Sequence, residues 1–140
     1  MGDVLFTFDS DVAPDAVRRA LTTTEGITSF WTDQADIPKE VGETLKLGFP
    51  EAPLPFDLLL AQSDDKVIIW RTATFPPQWV GTDIRWEISG GDGTSTVAFR
   101  HGTFADETEE GRVAYVWGQV MVQLKRYLET GVAAPVFVNS

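Results

Sequence analysis

The chain of 140 residues has no cysteine, which excludes disulfide frameworks, thiolate zinc sites and thiol nucleophiles. It has a single histidine, His101, so a metal site would have only oxygen donors to complete it; neither metal nor cofactor is expected. Positive charge is scarce. Eleven Lys and Arg face 21 Asp and Glu, giving a net charge of −10 and a pI of about 4.4, and the longest basic runs are the pairs Arg18-Arg19 and Lys125-Arg126. A surface of that sign repels phosphate backbones and anionic headgroups, so no nucleic-acid partner and no membrane insertion are expected. No apolar run approaches the roughly 20 residues that span a bilayer. The opening MGDVLFTFDSDV lacks a basic segment followed by a long apolar one, and Phe6 stands where a myristoylation motif after Gly2 needs Ser or Thr. A cytoplasmic protein is the expectation. Nucleophile elbows, phosphate loops, dinucleotide fingerprints and zinc signatures are also missing.

What the chain does have is globular composition: 43% hydrophobic and 23% charged residues, outside the disordered and fibrous ranges. Its length suits one domain that buries roughly two-thirds of its unfolded surface. Five Trp and nine Phe supply the large rings that dominate core and pocket energetics.

Val4 to Phe8 is β-branched and aromatic and is stopped by Asp9-Ser10-Asp11, which predicts a first strand. From Ala13 to Leu21 the pattern turns helical, with Pro14 at the first helical position, Asp15 in the first turn, and Val17, Ala20 and Leu21 on one face. A second short helix is expected from Thr24-Glu25-Gly26-Ile27 to Phe30-Trp31. Between about Gln34 and Phe104 the period becomes strand-like. Strands are expected over Leu45–Phe49, Phe56–Ala61, Lys66–Thr72, Val80–Ser89 and Thr94–Phe104, with turns at Ser63-Asp64-Asp65 and Gly90-Gly91-Asp92-Gly93. Ile84, Trp86 and Ile88 alternate with Asp83, Arg85 and Glu87, and Val97, Phe99 and His101 with Ala98 and Arg100, so one face is wet and one covered. The cover follows. Asp106-Glu107-Thr108-Glu109 opens a helix on which Val113, Val116, Trp117, Val120, Met121, Leu124 and Leu128 recur at helical spacing, and Gly131 closes it. The expected fold is α+β: a curved antiparallel sheet wrapped around a long C-terminal helix, with two short helices after the first strand. Residues 1–131 form one domain and residues 132–140, with Pro135 and no period, a C-terminal tail.

Three segments carry a family resemblance. Ala13-Pro14-Asp15-Ala16-Val17 through Phe30-Trp31, Gly93-Thr94-Ser95-Thr96-Val97 with Arg100 to Phe104, and the spacing of Trp117, Met121, Leu124-Lys125, Leu128 and Gly131 resemble, in order, the opening, last strand and closing helix of the START-like (SRPBCC, Bet v-like) helix-grip superfamily. Within it the match is to bacterial homologues of the activator of the heat-shock-protein-90 ATPase. The resemblance implies a cavity between sheet and long helix, used for lipids, polyketide-like molecules and other apolar ligands. It does not imply chaperone activation, because fold is not function.

Around such a cavity the candidate ligand-binding residues are Trp31, Trp70, Trp86 and Phe99, together with His101, Phe104, Trp117 and Met121; each has plain core packing as its alternative. His101 is the sole candidate general base, against the commoner role of a core histidine hydrogen-bonded in the wall. Trp79, beside a Pro pair, is either a flap over the entrance or an exposed loop ring. Asp57 and Arg71 belong on the wet face unless either turns inward to meet a ligand's polar end. The acidic group Asp106, Glu107, Glu109 and Glu110 reads as a solvated helix start. The leading functional expectation is noncatalytic binding or transport of an apolar or aromatic small molecule. The alternatives are a polyketide cyclase or hydrolase using His101 with an inward Arg71 or Asp57, and a chaperone-interacting module; a homodimer and a protein partner stay open.

Overall fold

The computed structural model describes residues 2–139; Met1 and Ser140, the outer ends of the expected spans 1–131 and 132–140, lie outside the described residues. Strand β1 (Gly2–Ser10) is followed by helices α1 (Pro14–Thr22) and α2 (Thr24–Phe30), then by β2 (Gln34–Asp36), β3 (Thr44–Gly48), β4 (Phe56–Ser63) and β5 (Val67–Thr72). A single 3-10 turn (Pro77–Trp79) precedes β6 (Asp83–Gly91), β7 (Thr94–Phe104) and the long helix α3 (Glu107–Thr130). The strands form one antiparallel sheet in the order β1-β7-β6-β5-β4-β3-β2. Six consecutive strands make a meander, and β1 joins its far end beside β7. This is the expected helix-grip α+β architecture. Among the strands only β2 is new, three residues being too few for a period of two to show; the strand expected over Val80–Ser89 begins at Asp83, after an unexpected 3-10 turn and Gly81 at φ 85°.

Local chemistry fixes the joints. Asp92 and Gly93 both have positive φ, 41° and 84°, and sit between paired Gly91 and Thr94. That is the two-residue turn whose twist matches the flanking strands, and it needs residues tolerant of the left-handed region. At the β4–β5 turn the Asp64 carboxylate accepts from the N–H groups of Lys66 (3.0 Å) and Val67 (2.9 Å), satisfying donors that the turn leaves bare. Asp106 caps α3 by accepting from Thr108 N–H at 2.8 Å, and Gly131, at φ 74°, ends it with its N–H on the Tyr127 carbonyl. Register shifts at Asp3 in β1 and Ala61 in β4 add local twist of the kind that bends a sheet around a helix.

The alternation in β6 and β7 is obeyed. Ile84, Trp86, Ile88, Val97, Phe99 and His101 are buried, while Arg71–Asp83 and Arg85–Glu87 pair on the outer face, where such bridges add little stability. α3 covers the inner face with Val113, Trp117, Val120, Met121 and Leu124. Val17 and Leu21 of α1 and Ile27 and Phe30 of α2 are fully buried, each contributing about 1.5–3 kcal/mol of hydrophobic stabilisation. The segment after Gly131 is tied down rather than loose. Ala134, Val136 and Phe137 donate their N–H groups to the carbonyls of Ser29, Phe30 and Trp31, and Asp33 N–H returns to the Phe137 carbonyl. These bonds satisfy carbonyls that the end of α2 would otherwise leave unpaired.

α1 and α2 meet so closely that a Cβ at Gly26 would stand 2.2 Å from the Ala20 carbonyl oxygen. In an open helix Gly→Ala raises stability by about 1 kcal/mol. Here Gly26→Ala is expected to lower it by about 1–3 kcal/mol, the usual cost of overpacking; denaturant unfolding that shows an unchanged or higher midpoint contradicts this account of the α1–α2 contact.

Candidate functional site

The middle of the grip is packed with rings. Trp31, Trp70, Trp86 and Trp117 are each at most 2% exposed. The Trp117 ring centroid lies 4.5 Å from Phe99, 4.9 Å from Trp31 and 6.0 Å from Trp86, and Trp31 stacks on Trp70 at 5.9 Å and 8°. Phe104 packs edge-on against His101 at 4.6 Å, and Met121 is 5% exposed. The space directly beneath the centre of α3 is therefore filled.

The opening lies at one end of that ring stack, as a pocket of about 520 Å³, within the range of small-molecule sites. Three indoles line it: Trp31 from the end of α2, Trp79 from the 3-10 turn and Trp117 from α3. Phe49 and Phe56, from the adjoining ends of β3 and β4, meet at 4.4 Å. Phe137 closes a further side, edge-on to Phe49 at 5.1 Å, held there by the backbone bonds of the C-terminal segment to α2. Val113 and Val116 complete the wall from α3. Charged and polar lining groups, Glu51, Gln78, Glu109 and Arg112, come from exposed or half-exposed positions and so form a rim.

His101 is not on this wall; it stands behind it. The Trp117 indole N–H, a group that can only donate, donates to His101 Nδ1 at 3.0 Å. The neutral ring must then carry its proton on Nε2, which donates to Thr82 Oγ1 at 2.9 Å, and Thr82 Oγ1 donates to the Trp79 carbonyl at 2.6 Å. Every polar atom of the imidazole is used. Burial pushes its pKa down from 6.5 to about 3, so the neutral form is the one present near pH 7. The chain of donors ties two walls of the pocket, Trp117 and Trp79, through β7. Trp79 is accordingly not an exposed loop ring but part of the pocket wall. It is 8% exposed and stacked on Trp117 at 6.3 Å and 24°.

Of the residues expected around a cavity, the structure brings Trp31 and Trp117 to the pocket. Trp86, Phe99, His101, Phe104 and Met121 pack behind them, and Trp70 lines a different depression. Asp57 and Arg71 do not join His101. Arg71 pairs with Asp83 at 2.8 Å on the outer face. Burial works to raise the Asp57 pKa, but hydrogen bonds from the Thr74 hydroxyl and the Phe75 and Thr74 N–H groups outweigh it and hold the carboxyl below its ordinary range. Asp57 thus anchors the start of the segment that delivers Trp79. Phe49 and Phe56 were within reach of sequence reasoning, since they continue the inward alternation of Leu45 and Leu47 and of Leu58 and Leu60. Phe137 carried no such signal.

No protein-family model matches the sequence, and no curated protein does. Solved structures do match. The Aha1 dimer from Colwellia psychrerythraea is 24% identical with a TM-score of 0.83, over 94% of this chain and 98% of that one. Protein SSP2350 from Staphylococcus saprophyticus is 19% identical with a TM-score of 0.77, over 97% and 98% of the two chains. DynU16, a protein in the dynemicin biosynthetic locus, is 18% identical with a TM-score of 0.81 over 99% of this chain, which spans about half (51%) of that protein. At such identities the likeness speaks for architecture alone: this chain has the helix-grip fold that Aha1 also adopts.

Proposed function

We propose that the chain binds an apolar or aromatic small molecule, of the lipid or polyketide-like kind, in the ring-lined pocket at the end of α3, and that it does so without transforming it. The observation that carries this reading is the division of labour in the pocket: an apolar wall of six aromatic rings and two valines, with charge confined to its rim. Such a wall gains affinity from area removed from water and orients a ligand only at its mouth. That a neighbour of the same fold, DynU16, belongs to a biosynthetic locus accords with a small-molecule ligand.

His101 supports the noncatalytic half of the reading. A general base needs a free lone pair facing the substrate and a pKa near the working pH; His101 has neither, since Nδ1 accepts from Trp117 and burial keeps the ring neutral. The linkage has a definite sign. Below pH 6.5 an unfolded imidazole takes a proton that the folded one refuses until about pH 3. The unfolded state therefore binds more protons across that window. Stability is full above the unfolded pKa and falls as the pH drops, by up to about 1.4 kcal/mol per pH unit.

Two measurements follow. Val116→Trp fills the pocket from α3 and is expected to weaken binding of the neutral fluorescent probe N-phenylnaphthylamine at least about tenfold while leaving the far-UV spectrum and unfolding midpoint near those of the parent; undiminished binding would place the ligand elsewhere and end this reading. For His101, the unfolding free energy should slope with pH between about pH 6 and 4.5, above the range where the depressed carboxylates act, and His101→Gln should flatten that slope. An imidazole NMR titration with a midpoint near 6.5 would restore the residue as a proton-active candidate and contradict its place as a neutral link between Trp117 and Thr82.

A further inference from the structure

A second pocket, of about 480 Å³, lies where α1 and the start of α2 face β3, β4 and the loop after β2. The stacked pair Trp31–Trp70 stands between the two depressions, Trp31 lining the first and Trp70 the second. Its apolar side is made by Leu21, Leu45, Leu60 and Trp70. Its charged groups are Arg18 and Lys39, and no Asp or Glu is among its lining residues, although acids outnumber bases 21 to 11 in the chain.

The Arg18 guanidinium is held across the pocket by neutral acceptors only: Nε donates to the Asp64 carbonyl at 3.1 Å and Nη2 to Ser63 Oγ at 2.9 Å. The carboxylate next to it, Asp64, feels the Arg18 charge but forms no ion pair with it, its oxygens being occupied by Gln62 Nε2 and the N–H groups of Lys66 and Val67. Neither Arg18 nor Lys39 forms an ion pair among the described residues. A guanidinium has five N–H donors, so three remain for a ligand on a side chain whose position is already fixed, which lowers the entropy lost on binding. Two hydroxyls add to the donor set. Ser63 Oγ accepts from Arg18 and Thr24 Oγ1 accepts from Ile37 N–H, so the proton of each is free to be donated. The hydroxyls of Thr22 and Thr23 are spent on the Arg18 and Arg19 carbonyls.

We infer that this second pocket binds compact organic anions with an apolar tail, a carboxylate or phosphate monoester meeting Arg18 and Lys39 while the tail lies against half-exposed Ile37 and Pro38, in front of buried Leu45, Leu60 and Trp70. Arg18, held by two hydrogen bonds, and the exposed Lys39, with no carboxylate among the lining residues, select anions over cations. The half-exposed apolar side chains of Ile37 and Pro38 favour an alkyl or aryl anion over an inorganic one, because phosphate alone leaves them in water.

The test uses the whole chain and four probes of equal length: octanoate, octyl phosphate, octanol and octylammonium, followed by amide and indole NMR shifts. Octanoate or octyl phosphate should move the signals of Thr22 to Thr24, Lys39 and the Trp70 indole, and should bind at least about tenfold more tightly than octanol, with octylammonium weakest; which anion binds tighter identifies the headgroup. Arg18→Gln and the exposed Lys39→Gln should each remove most of that anion preference without changing octanol binding, and Lys39→Gln keeps the test valid if Arg18→Gln unfolds α1. Val116→Trp, which obstructs the first pocket, should leave octanoate binding intact, so the two sites succeed or fail separately. Equal binding of the anions and octylammonium, shifts confined to Trp79, Trp117 and Phe137, or no shift with either anion overturns the inference.

Discussion

The rest of the molecule depends on one run of hydrogen bonds, from the Trp117 indole through His101 and Thr82 to the backbone at Trp79. Its direction is forced. An indole nitrogen cannot accept, so once Trp117 donates to Nδ1 every later proton has one place to go. Three elements without regular pairing to one another, namely α3, β7 and the 3-10 turn, are thereby registered through polar atoms buried in an apolar interior. Removing any member leaves a buried donor or acceptor bare, at about 1–3 kcal/mol. The same low-dielectric surroundings that impose this penalty strengthen the bonds while they are complete. Apolar packing alone would let the rings slide; the polar run sets their angles.

That constraint explains where the free volume is. Five Trp in a chain of this size could have left a void beneath the long helix, since large flat rings tile poorly. Instead, four of them interlock with Phe99 in tilted, edge-on and stacked contacts of about 4.5–6 Å, geometries that ring quadrupoles favour. The stack has to end, and it ends where β3 and β4 give way to the loop carrying Pro50 and where the C-terminal segment crosses the end of α2. Cavity formation has thus moved from the middle of the grip to its rim, at the boundary of the layer that the hydrogen-bonded run holds rigid.

The fold was legible because its signals are periodic. The alternation in β6 and β7, the helical spacing of Val113 to Leu124, the Asp92-Gly93 turn and the Gly131 stop are each local consequences of backbone geometry, and each appears where the residues put it. The site was legible only in part, for a physical reason. Inward-facing positions are readable from period, but which inward residue meets a neighbour and which meets a void depends on where packed side chains run out. Trp86 and Phe99 share with Phe49 and Phe56 the same inward phase, yet the first two are interior to the stack and the second two bound the opening. Phe137 was invisible for another reason: its place is set by backbone bonds to Trp31 and Asp33, which carry no side-chain period. Thr82 was equally silent, a polar residue in a strand approach whose role exists only once His101 is opposite it.

Charge distribution completes the picture. At −10 the chain is acidic as a whole, and a uniform spread of its ionised groups would place about two acids beside every base. The two depressions depart from that spread in different ways: the first mixes Glu51 and Glu109 with Arg112 at its rim, while the second has Arg18 and Lys39 and no acid. Long-range potential falls off within roughly 10 Å at ordinary ionic strength, so a ligand within either pocket responds to the nearest groups more than to the net charge. An acidic protein can therefore repel polyanions at its surface and still offer a local cationic seat to one small anion. The stacked Trp31 and Trp70 rings keep that seat apart from the ring-lined pocket, so discrimination by charge at one and by apolar shape at the other can coexist within a single sheet-and-helix grip.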